Sequence, residues 1–232
     1  MADGRRIVVM GGTGALGLGV CGALLDAGHA VTATWVVDGE VERARERFGE
    51  ELALRRLDAT SAEECDAFAA ELAAEDAPWG LVQLIGGYRD GDPVAGMDPR
   101  GWAQQMTLNA TTTAFAMRAF LGGMVARGGG RVVAVSSRAA VRPFAGAAAY
   151  AASKAAVIAL VEAASEEVKR HGVCVNCVLP SVIDTPGNRA AQPDADWSRW
   201  VRPEEIGAVI GFLMSPESSA VTGAAVPVYG RA

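Results

Sequence analysis

Tyr150 and Lys154 stand four residues apart in an alanine-rich run, and Ser137 lies thirteen residues before the tyrosine. On a helix, positions i and i+4 share one face about one turn apart, so the phenol and the ammonium meet. A hydroxyl, a phenol and an ammonium brought together suit proton transfer to or from an oxygen. A free phenol titrates near pKa ~10 and is a poor acid–base catalyst at neutral pH. A cation one turn away favours the phenolate, so the spacing predicts that Lys154 draws the Tyr150 pKa down toward the working range. Ser137 would hold the reacting oxygen between its own hydroxyl and the phenol. Alone, Tyr-x-x-x-Lys also describes a surface helix whose lysine stem lies along apolar surface. The elements around the trio decide between the two.

Those elements alternate between strand and helix. Residues 132–135, Val-Val-Ala-Val, form a short apolar run between glycines and the serine pair Ser136–Ser137, as a strand buried on both faces of a parallel sheet does. Ser137 thus falls at a strand's C-terminal end, where open parallel sheets bind ligands. The same pattern predicts strands over 7–10, 30–36, 52–57, 79–85, 173–179 and 225–229. Helices are predicted over 16–27, 40–50, 62–75, 101–127, 147–170 and 203–214. Ser61-Ala-Glu-Glu is a helix N-cap signature, and 40–50 reads as a solvated charged face. The polar stretch 181–201, with two prolines and two tryptophans, reads as a lid over a site at the sheet edge. No repeat or linker divides the chain. The expectation is a single α/β domain over 1–232: a Rossmann-type doubly wound parallel sheet of about seven strands, with helices on both faces.

The first strand runs into Gly12-x-Gly14-x-x-Gly17. Such a motif gains meaning when it follows a strand and opens a helix. Glycines let the backbone approach a pyrophosphate, and the helix N-terminus supplies N–H groups and positive dipole. A dinucleotide is therefore expected. An acid ending the second strand would bind the adenosine ribose, and an arginine would favour a 2′-phosphate. Trp35 and Val36 occupy that place, Asp38 comes late, and Arg43 and Arg45 lie on the next helix. NAD and NADP both stay open. Gly86-Gly87-Tyr88 after the fourth strand offers a second close backbone approach.

The chain has 232 residues, half of them apolar, with a net charge of −6. That composition builds one sizeable core, and the lack of a basic run argues against nucleic acid as a partner. No stretch reads as a signal or membrane segment, so a cytoplasmic place and no membrane partner are expected. Four cysteines are too few and too scattered for a disulfide framework. Cys174-Val-Asn-Cys177 lies within a strand, where residues three apart face opposite sides, and no metal site is expected.

Taken together, the chain resembles the short-chain dehydrogenase/reductase family over nearly its whole length. The resemblance rests on Gly11 to Gly17, Asp58, Asn109, Ser137, Tyr150, Lys154, Asn176 and Pro180…Ile183-x-Thr185. It implies that Tyr150 is the general acid/base and that Lys154 lowers its pKa and binds the nicotinamide ribose. Ser137 orients the substrate oxygen, and Asn109 anchors a relay water. Gly11, Thr13, Gly14, Ala15, Leu16 and Gly17 would cradle the pyrophosphate of NAD or NADP. Trp35, Asp58 and Ala59 would meet the adenosine. Gly86, Gly87, Pro180, Ile183 and Thr185 would complete the nicotinamide end. Ala15 stands where the family has its middle glycine, Leu84-Ile85-Gly86-Gly87 replaces Asn-Asn-Ala-Gly, and Pro180-Ser181 replaces Pro-Gly.

Some departures are similar to the dihydropteridine reductases: GGTGALG, the Gly-Gly-aromatic at 86–88 and VLPSVIDTPGNR. The retained Ser137 points to ordinary carbonyl–alcohol chemistry. A pterin-type reductase, a non-redox biosynthetic enzyme of the same fold, or a dinucleotide-sensing protein without turnover are the alternatives. From their places after strand ends, Tyr88, Arg138, Phe144, Ser181, Trp197 and Trp200 are expected to line a pocket for a small, partly apolar substrate. Arg138 or Arg142 would meet an anionic group there or else simply face solvent. Small-residue helices resemble those the family uses to assemble, so a homodimer or homotetramer is expected.

Overall fold

The computed structural model describes residues 4–231. Seven strands form one sheet: β1 (Arg6–Met10), β2 (Ala30–Trp35), β3 (Leu52–Arg56), β4 (Gly80–Gln83), β5 (Gly130–Val135), β6 (Val173–Pro180) and β7 (Ala225–Val228). All neighbours are parallel, in the order β3-β2-β1-β4-β5-β6-β7. A parallel pair cannot be joined by a tight turn, so each connection crosses a face of the sheet and carries a helix. The helices are α1 (Ala15–Asp26), α2 (Asp38–Phe48), α3 (Ala62–Asp76), α4 (Pro99–Gln105), α5 (Thr112–Arg127), α6 (Ala148–Val168), α7 (Pro186–Ala191) and α8 (Pro203–Met214).

Side-chain alternation along the strands sets the three layers. Val8 and Met10 join one core cluster with Phe68 and Leu72 of α3, Phe120 of α5 and Val157 of α6. Ile7 and Val9 point the other way, to Val20 and Leu24 of α1 and Ile206 and Ile210 of α8. Every residue of β4, β5 and β6 is buried, which is why those segments read as mainly apolar, with Gln83, Arg131 and Asn176 as their buried polar members. Helices α1 and α8 meet through glycines: a Cβ on Gly19 would lie 2.5 Å from the Pro203 Cβ. The strand order reverses between β1 and β4, so the crevice for a ligand opens at the C-terminal ends of those strands.

Two expectations change here. The predicted helix 101–127 is not uniform, because a π-helical turn, Met106–Thr111, separates α4 from α5. Two threonine hydroxyls support it: Thr112 donates to the Leu108 carbonyl and Thr113 to that of Asn109, each at 2.7 Å. Among the described residues one helix, Ala148–His171, is also long and apolar enough to cross a membrane by length and composition, where no such stretch was expected. Its Val157, Val161, Ala164 and Val168 belong to the core cluster on the sheet, and it carries Lys154 inward.

Candidate active site

The turn after β1 is built from backbone. Gly11 takes a φ of +76°, which glycine adopts without strain. A Cβ on Gly17 would lie 2.5 Å from the Gly11 carbonyl oxygen, so this glycine lets α1 sit against the turn. Gly14 differs. It is the N-cap of α1 with no side-chain capping bond, and a Cβ there would meet nothing nearer than the Gly11 oxygen at 3.6 Å. An uncapped helix start free of acids in its first turn, faced by open space at Gly14, fits a pyrophosphate. Ala15, in place of the family's glycine, is simply the first residue of the helix. Leu16 packs toward the α1–α8 side of the core. Thr13 is buried, and its hydroxyl donates to Glu40 Oε2 at 2.8 Å.

Trp35 closes β2, and Val36 and Val37 follow it exposed. Asp58 lies beyond β3 with its carboxylate accepting from the Thr60 N–H and hydroxyl at 2.9 and 2.6 Å. Those bonds hold its pKa below the ordinary carboxylate value. Ala59 beside it is buried in the core.

The chemical end lies across the crevice, where β4, β5 and α6 converge. Ser136 donates to the Lys154 carbonyl at 2.7 Å and pins α6 to the end of β5. The Ser137 oxygen accepts from the Ala139 N–H at 3.1 Å, leaving its proton for a second partner. That partner is the Tyr150 phenol. Burial pushes the phenol's pKa up, and the hydrogen bond from Ser137 draws it part of the way back.

Lys154 behaves otherwise than its spacing predicts. Its ammonium is buried and donates to the Val135 carbonyl at 2.9 Å. Against the direction expected from the lysine's spacing, burial leaves the Tyr150 pKa raised and not lowered. The cation is tied to the strand end, and desolvation governs the phenol. The same desolvation pushes the Lys154 pKa down to about 8.

Asn109 sits on the π-helical turn, wholly buried. Its Oδ1 accepts from the Gly87 N–H at 3.0 Å, and its Nδ2 donates to the Gly87 carbonyl at 3.0 Å and to Ser153 Oγ at 2.9 Å. Ser153 in turn donates to the Tyr150 carbonyl at 2.8 Å. Asn109 therefore ties the loop after β4 to the turn that presents the phenol. Gly86 is required by this packing, since a Cβ there would lie 2.6 Å from Asn109 Oδ1 and 2.9 Å from Lys154 Nζ. Ser136 and Ser153 escaped the sequence reading. The signal for Ser153 was a hydroxyl on the apolar face of the helix, between tyrosine and lysine.

The predicted substrate residues divide. The Tyr88 ring stands edge-on to Tyr150, centroids 4.9 Å apart, with its hydroxyl donating to Asp90. Phe144 is exposed on the β5–α6 loop, and that loop is joined to the β4–α4 loop by the Gly91 N–H donating to the Gly146 carbonyl at 3.1 Å. Arg138 lies over the Tyr229 ring at 5.7 Å. Ser181 donates to the Tyr229 carbonyl at 2.6 Å and so fastens β6 to the chain beyond β7. The large apolar ring of Trp200 is buried, anchoring the end of the 181–201 segment. Trp197, in the same segment, is half-buried, with its indole N–H donating to the Gln192 carbonyl and the Arg189 guanidinium over its ring.

That segment is closed at its base, where Ile183 and Val201 form an isolated bridge. Thr185 caps α7, its hydroxyl accepting from the Asn188 N–H at 3.2 Å. Pro180 ends β6. The two cysteines of Cys-x-x-Cys face opposite ways: Cys174 donates to the Ser219 carbonyl, and Cys177 joins the α6 side of the core.

Comparison with known proteins places this geometry in company. The family described as enoyl-(acyl carrier protein) reductase matches residues 12–230. Galactitol 2-dehydrogenase of Rhizobium johnstonii is 35% identical, over 97% of this chain and 94% of that one. The 3-oxoacyl-[acyl-carrier-protein] reductase FabG of Vibrio cholerae is 26% identical, over 98% and 97%. A gluconate 5-dehydrogenase from Burkholderia cenocepacia, solved with NADP and tartrate, superposes with a TM-score of 0.90 at 26% identity, over 98% and 94%.

Proposed function

The chain belongs to the short-chain dehydrogenase/reductase family and is an NAD(P)-dependent oxidoreductase of alcohols and carbonyls, and we propose that its reactant is a small, partly apolar ketone or secondary alcohol. The observation that carries this is the Ser137–Tyr150 hydrogen bond beside a buried Lys154. A bound nicotinamide supplies or accepts the hydride. The chain's own residues handle the oxygen and its proton.

In reduction, the Ser137 hydroxyl and the Tyr150 phenol bond the carbonyl oxygen together, and the phenol delivers the proton as negative charge develops there. A phenol whose pKa is raised by burial is fully protonated at neutral pH, which suits a donor. Lys154 places a cation under the same crevice, and Asn109 with Ser153 holds the tyrosine's backbone in place. The Gly11–Gly17 turn and the start of α1 would hold the pyrophosphate. Asp58 and Ala59 would hold the adenosine, and Gly86, Gly87, Pro180, Ile183 and Thr185 the nicotinamide end.

The substrate mouth exposes Tyr88, Val94, Val141 and Phe144, an apolar rim suited to hydrocarbon flanking the reacting carbon. Arg142 is exposed on the same rim and would meet an anionic group. The 181–201 segment closes over this mouth. Copies of the chain pair through the half-buried small residues of α5 and α6, and the enzyme works in the cytoplasm.

The trial is NAD(P)H absorbance against a panel of ketones and polyols, with stopped-flow nucleotide binding alongside. Oxidation of NAD(P)H by an apolar-flanked ketone is the expected result. Binding of neither nucleotide would refute the assignment.

A further inference from the structure

The end of β2 carries no charge, yet a carboxylate reaches the phosphate turn from elsewhere. Glu40, in the first turn of α2, accepts from the Thr13 hydroxyl at 2.8 Å. Its Oε1 lies 4.0 Å from where a Cβ on Gly14 would stand. The donor is buried, so the carboxylate is held between the β1–α1 turn and the start of α2. This is the C-terminal rim of β1 and β2, where a doubly wound sheet receives the adenosine ribose.

Charge around this position is uneven. Asp38 adds a second acid to the same helical turn. Arg43 is the cation beside it, and its guanidinium pairs with Glu40 Oε1 at 3.7 Å. Arg45 is turned to the far end of α2, donating to the Gly49 and Leu52 carbonyls at 2.9 and 3.3 Å. Trp35, Val36 and Val37 bring only apolar surface. A ribose diol finds a carboxylate acceptor here. A 2′-phosphate meets the Glu40 carboxylate and an arginine whose charge that carboxylate already offsets.

We propose, resting on the dinucleotide assignment above, that Glu40 selects the cofactor. It accepts from the adenosine 2′-hydroxyl and repels a 2′-phosphate, so this chain takes NAD in preference to NADP. The carboxylate that discriminates comes from α2, not from the last residue of β2.

The test is equilibrium binding of NAD and NADP to the full chain without substrate, by calorimetry or quenching of tryptophan fluorescence. The wild type should bind NAD at least about tenfold more tightly, as expected for one charge-assisted hydrogen bond gained and one repulsion avoided. Glu40→Gln keeps the shape and a Thr13 contact but removes the charge. It should weaken NAD, tighten NADP and cut the ratio at least about fivefold. Glu40→Asp, charged but one methylene shorter, should shrink the preference without inverting it.

NADP bound as tightly as NAD by the wild type, or a ratio unmoved by Glu40→Gln, overturns the proposal. So does tight NADP binding that Arg43→Ala abolishes, which would give selection to the arginine. Binding of neither nucleotide strikes the dinucleotide assignment itself, a different failure with a different signature.

Discussion

The two ends of the crevice are made of different material. At the β1–α1 turn the working surface is backbone: a positive-φ glycine, an uncapped helix start, and glycines whose missing Cβ lets chain segments touch. At the β5–α6 end it is side chains, namely Ser137, Tyr150, Lys154 and the Asn109 network that positions them. A backbone surface survives changes of residue provided φ and space are kept, so Ala15 can stand where relatives of the family carry glycine. A side-chain surface survives almost none, because one atom on each residue does the chemistry.

Substitutions at both ends break or sharpen that contrast. The largest effect belongs to Tyr150→Phe, which removes the proton donor and little else. Turnover should fall about 10³-fold while nucleotide affinity stays within about twofold; single-turnover kinetics with a binding titration decide it, and retained turnover would end the assignment. Ser137→Ala should cost about 10²-fold in kcat by deleting one bond to the developing charge, with KM changed much less. A steady-state profile that showed only a KM effect would make the serine a binding group instead.

The pH profile comes next. With its pKa lowered to about 8, Lys154 is cationic below that value and neutral above it. Reduction should hold level from pH 6 to 7.5 and decline by up to about tenfold per unit beyond about 8, read as kcat/KM. The raised phenol pKa keeps Tyr150 protonated across the same window, so a flat profile through pH 9 would remove Lys154 from the chemistry.

The glycines supply the smallest and most discriminating pair. Gly17→Ala forces a Cβ to 2.5 Å from the Gly11 oxygen and should destabilise the fold by about 1–3 kcal/mol, a drop of several degrees in Tm. Gly14→Ala adds a Cβ in open space at a φ of −67°. It should leave Tm within about 2 °C, with any loss confined to nucleotide affinity. Equal melting losses in both would erase the distinction between glycines that build the turn and the one that faces the ligand.

The sequence carried much of this plainly. Mainly apolar runs between glycines and polar turns mark the strands, so all seven were found within a few residues of their ends, as at 173–179 against Val173–Pro180. Ser61 caps α3 as its pattern predicts, accepting from the Glu64 N–H at 3.1 Å. What stayed hidden depends on contacts between distant positions. Glu40 looked like part of a solvated helix face because its partner, Thr13, is 27 residues away. Helical spacing placed Lys154 beside Tyr150 but could not reveal that the Val135 carbonyl claims its ammonium. The π-helical turn leaves no periodic trace in so short a stretch.

That turn has a consequence for how this chain can change. The π turn over Met106–Thr111 winds less per residue and so absorbs one extra residue while α4 and α5 stay in phase. Deleting one residue there would return the turn to α winding with Ala116, Phe120 and Met124 still facing the sheet, and would cost Asn109 the bulged position from which it bonds Gly87. A residue lost or gained in the α-helical flanks would instead rotate α5 by about 100° against α4, so a change of length is absorbed at the bulge and nowhere else along this helix.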